Sequence, residues 1–580
     1  MDKLKPKLFS VMKTYTKEQF FKDVISGIIV AIIALPLSIA LALASGVGPR
    51  EGLFTAIIAG FLISFLGGSR VQIAGPTAAF ATIVAGIVVA NGGYDGGGLS
   101  ALATATILAG IILIAMGLLK LGGLIQYIPT TITTGFTFGI AVTIAIGQVK
   151  DFLGLTFATA PVETVEKLKE IVLSITTINW WALLIGAVSL AILIFWPKKW
   201  KYVPASLVAV IVGAALVYFF KLPVATIGFK ADRLTVNYQI IDPAVADGSF
   251  IERTLSCLPH FVKPDLSFTT IKAMLPNAFT IAILAAIESL LSCVVSDGMI
   301  GSKHRSNMEL VAQGVGNSAS ALFGGIPATG AIARTAANVK NGGRTPVAGM
   351  VHAIVLLLIM AFLVPLASLI PMPTIAAILF QVAYNMSGWR TVVKHVKSSP
   401  KMDVLVLMIT LLLTVFFDLV VAIGVGLVLS CLLFMKRMSD VTDVHGWVYK
   451  DSDAMDDDTD VDNIALKSVP KHTRVFEISG PMFFAASEKF MAVTEETSED
   501  ILIIRMRSVP AIDATGLVTL EKIYETCKKN NVTLILSHVN EQPMKALEKA
   551  GFVEKVGKDN FCANIDAALL RAEELEKANK

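Results

Sequence analysis

The sequence predicts a polytopic α-helical membrane protein of fourteen crossings in two inverted halves of seven, followed by a small α/β domain. Three observations carry this. Hydrophobic residues make up 54% of the 580 and charged residues only 16%, with a mean hydropathy of +0.70; a soluble chain carries about 25% charged residues. Apolar stretches near the roughly 20 residues that span a bilayer recur up to about residue 436. Two short segments, both broken by glycine and proline, stand seven crossings apart.

Residues 1–23 carry Lys3, Lys5, Lys7, Lys13, Lys17 and Lys22 with few acids, and basic residues beside a first span hold that side in the cytoplasm. The first span, about 24–44, contains Pro36 and is followed at once by a second, about 51–67, so it reads as a retained span and not as a signal peptide. The third crossing is too short to span once it begins after Pro76, and Gly75-Pro76-Thr77 opens it. Proline suits a first helical turn, and the free N–H groups there make an anion site backed by the helix dipole.

Spans follow at about 99–119, 124–148, 178–196 and 202–220, then a mixed loop at 221–270 and the eighth span around 279–295. A ninth at 307–323 leads into the second broken segment, and four more fit at 345–367, 371–386, 402–418 and 420–435. An even total puts Lys120, Lys198–Lys201, Lys303–Arg305, Lys340–Arg344, Arg390–Lys401 and Lys436-Arg437 on the N-terminal side, which is the distribution expected of cytoplasmic loops.

The broken segments echo one another. Leu66-Gly67-Gly68 precedes Gly75-Pro76-Thr77-Ala78; Phe323-Gly324-Gly325 precedes Pro327-Ala328-Thr329-Gly330. An odd number of crossings per repeat reverses the second half, so two helix N-termini point at each other and can hold an anion through backbone amides. Thr77 and Thr329 add hydroxyls. Arg334, one turn into the tenth helix, either supplies positive charge to that pocket or snorkels to the surface.

The eighth span carries Glu288, with Ser292 four residues on along the same helical face. A carboxylate at bilayer depth is costly and marks function. Ionised, it is wrong for holding an anion, so its expected role is to carry a coupling cation: a proton, or sodium held with Ser292 and nearby carbonyls.

After Lys436 the composition shifts. Seven aspartates between Asp451 and Asp462 lack the spacing of a calcium loop, and 437–469 is read as an acidic linker. From 470 to about 575, strand-prone runs (474–479, 501–506, 532–537) alternate with helix-prone ones (486–493, 516–528, 544–550). Asp513 or Thr515 caps the second of these helices, and the Thr515 hydroxyl is also a candidate phosphoacceptor.

Other classes are disfavoured. A net charge of +4 spread over short loops does not suit nucleic-acid binding, and five scattered cysteines form neither a disulfide framework nor a zinc site. The sequence offers no cofactor motif or nucleotide loop, so an enzyme is not expected.

VQIAGPTAAF, AIESLLSCVVSDGM, GAIARTAANVKNGGRTPVAG and the C-terminal IDATG together resemble the SulP/SLC26 anion transporters over nearly the whole chain. The resemblance implies core and gate parts within residues 24–436, elevator-like alternating access, a homodimer, and a cytoplasmic STAS domain open to a regulatory protein partner. It implies an anion site at Gly75, Pro76, Thr77, Ala328, Thr329, Gly330 and Arg334, and places Glu288 at the family's eighth-helix carboxylate. The sodium-bicarbonate branch has aspartate and threonine where this chain has Glu288 and Ser292, which favours proton over sodium coupling and a bacterial inner-membrane symporter with both termini cytoplasmic. Sulfate, bicarbonate and C4-dicarboxylate remain open as substrates; a passive anion channel, or a sensor signalling through the STAS domain, is the alternative.

Overall fold

The computed structural model describes residues 4–123, 129–158, 161, 163–199, 204–227, 258–367, 369–417, 419–447, 469–484 and 500–578. The chain forms two compact units, Met1–Leu427 and Val428–Lys580, and the division falls inside the last membrane helix.

Fourteen membrane elements follow in order. They are Lys17–Ala44, Pro49–Leu66, Ala81–Ala90, Leu99–Leu118, Thr130–Leu153, Trp180–Lys199, Ala205–Phe220, Phe268–Ile300, Ser306–Leu322, Ile332–Lys340, Val347–Ala367, Met372–Ser387, Lys401–Phe416 and Leu419–Val441. The first is capped by Thr16, whose hydroxyl accepts from Gln19 N, and runs through Pro36 without breaking. Crossings one to four and eight to eleven pack together: the ninth lies against the fourth and second, the eighth against the fourth, the eleventh against the first and second. Crossings five to seven and twelve to fourteen make the other part, with the twelfth against the fifth and sixth and the thirteenth against the fifth. This is the core-and-gate division of a seven-plus-seven repeat.

The third and tenth crossings are short, of 10 and 9 residues, because each is preceded by extended chain. Strand β1 (Ala74–Gly75) pairs antiparallel with β2 (Thr329–Gly330), matching Ala74 with Gly330 and Gly75 with Thr329. This pairing satisfies backbone groups that lipid could not. Among the described residues of this unit, Lys7–Val11, Thr164–Leu173 and Trp389–Ser398 are α-helices outside the expected fourteen; the first has only five residues, and the charged faces of the other two keep them from spanning.

The second unit carries a five-stranded sheet in the order β3-β4-β5-β6-β7: Asp443–Trp447, Thr473–Ser479, Ile501–Ser508, Thr533–Ser537 and Phe561–Cys562. Strand β3 runs antiparallel to β4; the other neighbours are parallel. The sheet therefore recruits Asp443–Trp447 from within the stretch expected as linker, since β4 has an open edge for it. Helices Ala514–Lys529, Glu541–Lys549 and Ile565–Ala578 cover its apolar strands. The aspartates between Asp451 and Asp462, the expected helix at 486–493 and most of the 221–270 loop lie outside the described residues.

Candidate anion site between two broken helices

The paired strands bring the two helix starts together. Thr77 precedes the turn Ala78–Phe80 that opens the third crossing, and Ala331 precedes the tenth helix. Both β1 and β2 are buried, and their glycines are needed for close approach. A Cβ on Gly75 would overlap the Arg334 guanidinium, and one on Gly330 would overlap the Gln72 amide. Pro76 and Ala328 complete the set, Ala328 at 0% exposure.

Glu288 joins the same place. Its Oε2 accepts from the Thr77 hydroxyl at 2.9 Å and from the Thr329 hydroxyl at 2.9 Å, and the two hydroxyls stand 3.2 Å apart. The residues expected to hold the anion and the residue expected to carry the cation thus share hydrogen bonds. Ser292 is buried, but its hydroxyl has no hydrogen-bond partner among the described residues and does not meet Glu288. Ser289, which the sequence reading did not single out, accepts from Gly330 N at 3.1 Å and so fixes β2 to the eighth crossing.

Arg334 is 1% exposed and does not snorkel. Its Nη2 donates to Ser38 Oγ and to the Pro76 carbonyl, each at 3.2 Å, while Nε and Nη1 are buried without a partner. No carboxylate pairs with it among the described residues. A buried guanidinium held by two neutral acceptors leaves uncompensated positive charge behind the break.

A polar stripe on the ninth crossing supports both breaks. Glu309 Oε2 accepts from Gly68 N and Ser69 N, and its Oε1 from Gln72 Nε2 and Gln313 Nε2. Asn317 grips Ala328 on both sides, donating to its carbonyl at 2.9 Å and accepting from its N–H at 2.7 Å. Glu309, Gln313 and Asn317 recur every four residues on one helical face and are all fully buried. That spacing was the available signal in a span read only as modestly hydrophobic.

A cavity of about 570 Å³ reaches this region from the face where the first crossing ends. Ala78, Ala81 and Thr82 line it beside Thr77, and Gln148, Glu163 and Lys167 line it as well, so a carboxylate and an ammonium share its wall. Burial holds the Lys167 ammonium below its ordinary pKa, and the side chain has no ion-pair partner among the described residues.

In the second unit, Asp513 is the helix cap: Oδ1 accepts from Gly516 N at 2.8 Å and Oδ2 from Phe484 N at 3.0 Å. Thr515 is exposed beside it, on the first turn of the helix.

Residues 20–410 match the sulfate permease family, and residues 463–568 match the STAS domain. The chain belongs to the sulfate permease family. As a member it is an anion transporter with an elevator-type fold, and not an enzyme. YvdB of Bacillus subtilis (strain 168), which carries a provisional sulfate-transporter name, is 37% identical over 96% of this chain and 98% of its own. The bicarbonate transporter BicA of Picosynechococcus sp. is 30% identical over 95% of this chain and 94% of its own. Among solved structures, SLC26A9 superposes with a TM-score of 0.82 at 19% identity, covering 99% of this permease and 93% of that chain. The transmembrane domain of a cyanobacterial BicA gives 0.59 at 28% identity, covering 72% and 98%.

Proposed function

We propose that this permease accumulates a small oxyanion or carboxylate by symport with a proton, with Glu288 as the proton carrier. The carrying observation is the pair of hydrogen bonds from Thr77 and Thr329 to Glu288 Oε2. While ionised, Glu288 occupies the hydroxyl donors of the anion site and repels an anion beside it. Protonation removes that repulsion and lets the hydroxyls turn to the substrate, so anion and proton bind together and leave together. Arg334 and the two helix N-termini supply the positive charge that remains.

The candidate substrates are sulfate, bicarbonate and a C4-dicarboxylate; the names of YvdB and BicA support the first and the second respectively. The core would carry the site past the gate, within a homodimer whose N and C termini are cytoplasmic in a bacterial inner membrane. The STAS domain would offer Asp513 and Thr515 to a regulatory protein. Sodium in place of the proton would draw on the unpartnered Ser292 hydroxyl near Glu288.

The test is accumulation of labelled sulfate, bicarbonate and fumarate in proteoliposomes under separately imposed proton and sodium gradients. Uptake driven by the proton gradient alone is expected, and Ser292→Ala should leave it intact. Uptake driven only by sodium and lost in Ser292→Ala would overturn the proton assignment. Gradient-independent flux unaffected by replacing Glu288 would instead favour a passive channel.

A further inference from the structure

A second cavity lies on the opposite side of the core from the 570 Å³ one, at the face that carries the N-terminus. The N-terminal segment is stapled across the core loops there. Lys7 N donates to the Gly67 carbonyl, Lys7 Nζ to the Lys303 carbonyl, and Arg305 to the Lys5 carbonyl and Ser10 Oγ. Asp23, at 0% exposure, ties the segment to the loop after the tenth crossing: it accepts from Tyr15 OH, Gln19 Nε2, Arg344 N and Thr345 Oγ1.

Between these staples is a cavity of about 270 Å³ lined by Thr14, Tyr15, Thr16, Gln19, Arg70 and Arg344. That is small for a drug-sized ligand, which takes roughly 300–1,000 Å³, and suits a single charged group. Among the described residues no acid forms an ion pair with either guanidinium. Arg70 makes no hydrogen bond or ion pair among the described residues, and its Nε is buried without a partner. Arg344 spends Nη1 on the neutral carbonyls of Val339 and Gly343. The Asp23 carboxylate accepts only from neutral donors, so its charge stays behind the cavity wall and offsets part of the positive charge of the two arginines. Thr16 is the N-cap of the first crossing, so the positive end of a 28-residue helix adds to the same field. Burial and the neighbouring Asp23 push the Tyr15 hydroxyl up to about 12, which keeps it protonated.

We propose that this cavity binds a phosphate group between Arg70 and Arg344. Planar guanidinium donors match phosphate oxygens in paired hydrogen bonds, and two arginines without an ion-pair partner among the described residues, beside a helix N-terminus, suit a multiply charged anion. The phosphate is either free in solution or carried on a lipid headgroup, since the cavity lies at the ends of membrane helices. Arg70 lies in the loop that runs from Gly67 into β1, so occupancy would tie the N-terminal segment to the support of the transport site.

The experiment uses the purified full-length protein. Binding of labelled inorganic phosphate is measured by equilibrium dialysis for wild type, Arg70→Gln, Arg344→Gln, Arg70→Lys and Arg334→Gln, each checked for folding by gel filtration and melting temperature. Saturable binding is expected in wild type and Arg334→Gln, weakened at least about tenfold in Arg70→Gln and Arg344→Gln and less in Arg70→Lys. If Arg70→Gln does not fold, Arg344→Gln and Arg70→Lys carry the comparison. Phosphatidic acid in nanodiscs that displaces the label from wild type identifies the headgroup as the source; phosphatidic acid that leaves it bound identifies free phosphate. Phosphate binding lost only in Arg334→Gln would place the anion in the transport site and overturn the proposal. Equal binding by wild type and both cavity variants, or no binding of either probe by folded wild type, would overturn it too.

Discussion

The two breaks are alike in backbone and unlike in charge. Each runs from a glycine pair through proline and threonine into a short helix, and they meet in one antiparallel pairing. Yet the third crossing, ATIVAGIVVA, carries no charge and Thr82 as its one polar side chain, while the tenth, IARTAANVK, carries Arg334, Thr335 and Asn338. Those three side chains reach across to the first half: Arg334 to Pro76, Thr335 to Ile73 N and Asn338 to the Val71 carbonyl. The repeat therefore supplies symmetric helix ends, and the second half supplies the guanidinium behind them and the bracing across them. A duplicated fold can keep its geometry while its chemistry concentrates in one copy.

The largest expected effect falls on Glu288, the point where both halves converge. Glu288→Gln keeps a partner for the threonine hydroxyls but cannot ionise, so gradient-driven accumulation should vanish while anion exchange survives. Accumulation equal to wild type would remove Glu288 from the coupling step. Because Thr77 and Thr329 approach the same oxygen at the same distance, Thr77→Val and Thr329→Val should weaken uptake to similar extents.

Arg334→Gln tests the asymmetry. Hydrogen bonds to a charged group contribute about 1.5–3 kcal/mol, so anion affinity should fall roughly 10- to 150-fold by equilibrium binding. No charge in the third crossing stands in for it. An affinity unchanged in this variant would mean that helix ends alone hold the anion.

Much of this arrangement was legible from the chain, because hydropathy sets the spans and Gly-Pro-Thr punctuation sets the breaks. The pairing of Gly75 with Thr329 was not, since a two-residue strand leaves no period to read. Arg334 was visible as a charge, but its burial depended on Ser38 and Pro76, distant in sequence. Strand β3 was hidden in DVHGW, too short and polar to announce itself beside the acidic run. Glu309 and Asn317 carried a usable four-residue spacing, but only tertiary structure says what they hold.

The supports separate the breaks again. Asn317→Ala strips both backbone groups of Ala328 of their partner, and each unsatisfied buried group costs about 1–3 kcal/mol. The melting temperature should fall clearly, and the KM for the anion should rise with it. Glu309→Gln can still accept at one atom, so it should loosen the first break with a smaller loss. A reversed order would mean that the first break carries more of the stability.

The smallest effect is expected at Lys167, where access and not binding is at stake. The cavity it lines touches Ala78, Ala81 and Thr82 of the first half and no residue of the second break. Lys167 offsets the Glu163 carboxylate in the same cavity and so keeps the approach to Thr77 open to an anion. Interactions of such partly solvated charges are worth about 0.2–1 kcal/mol, so Lys167→Gln should raise KM by roughly two- to fivefold with little change in maximal rate. The difference should shrink as ionic strength rises, because salt screens a charge at a solvent-filled mouth and leaves buried Arg334 largely unscreened. Initial uptake rates for both variants at low and high salt separate the two: a salt-sensitive defect in Lys167→Gln and a salt-insensitive one in Arg334→Gln are expected. Salt-insensitive loss in both would place Lys167 in contact with bound substrate and extend the site along the first half of the repeat.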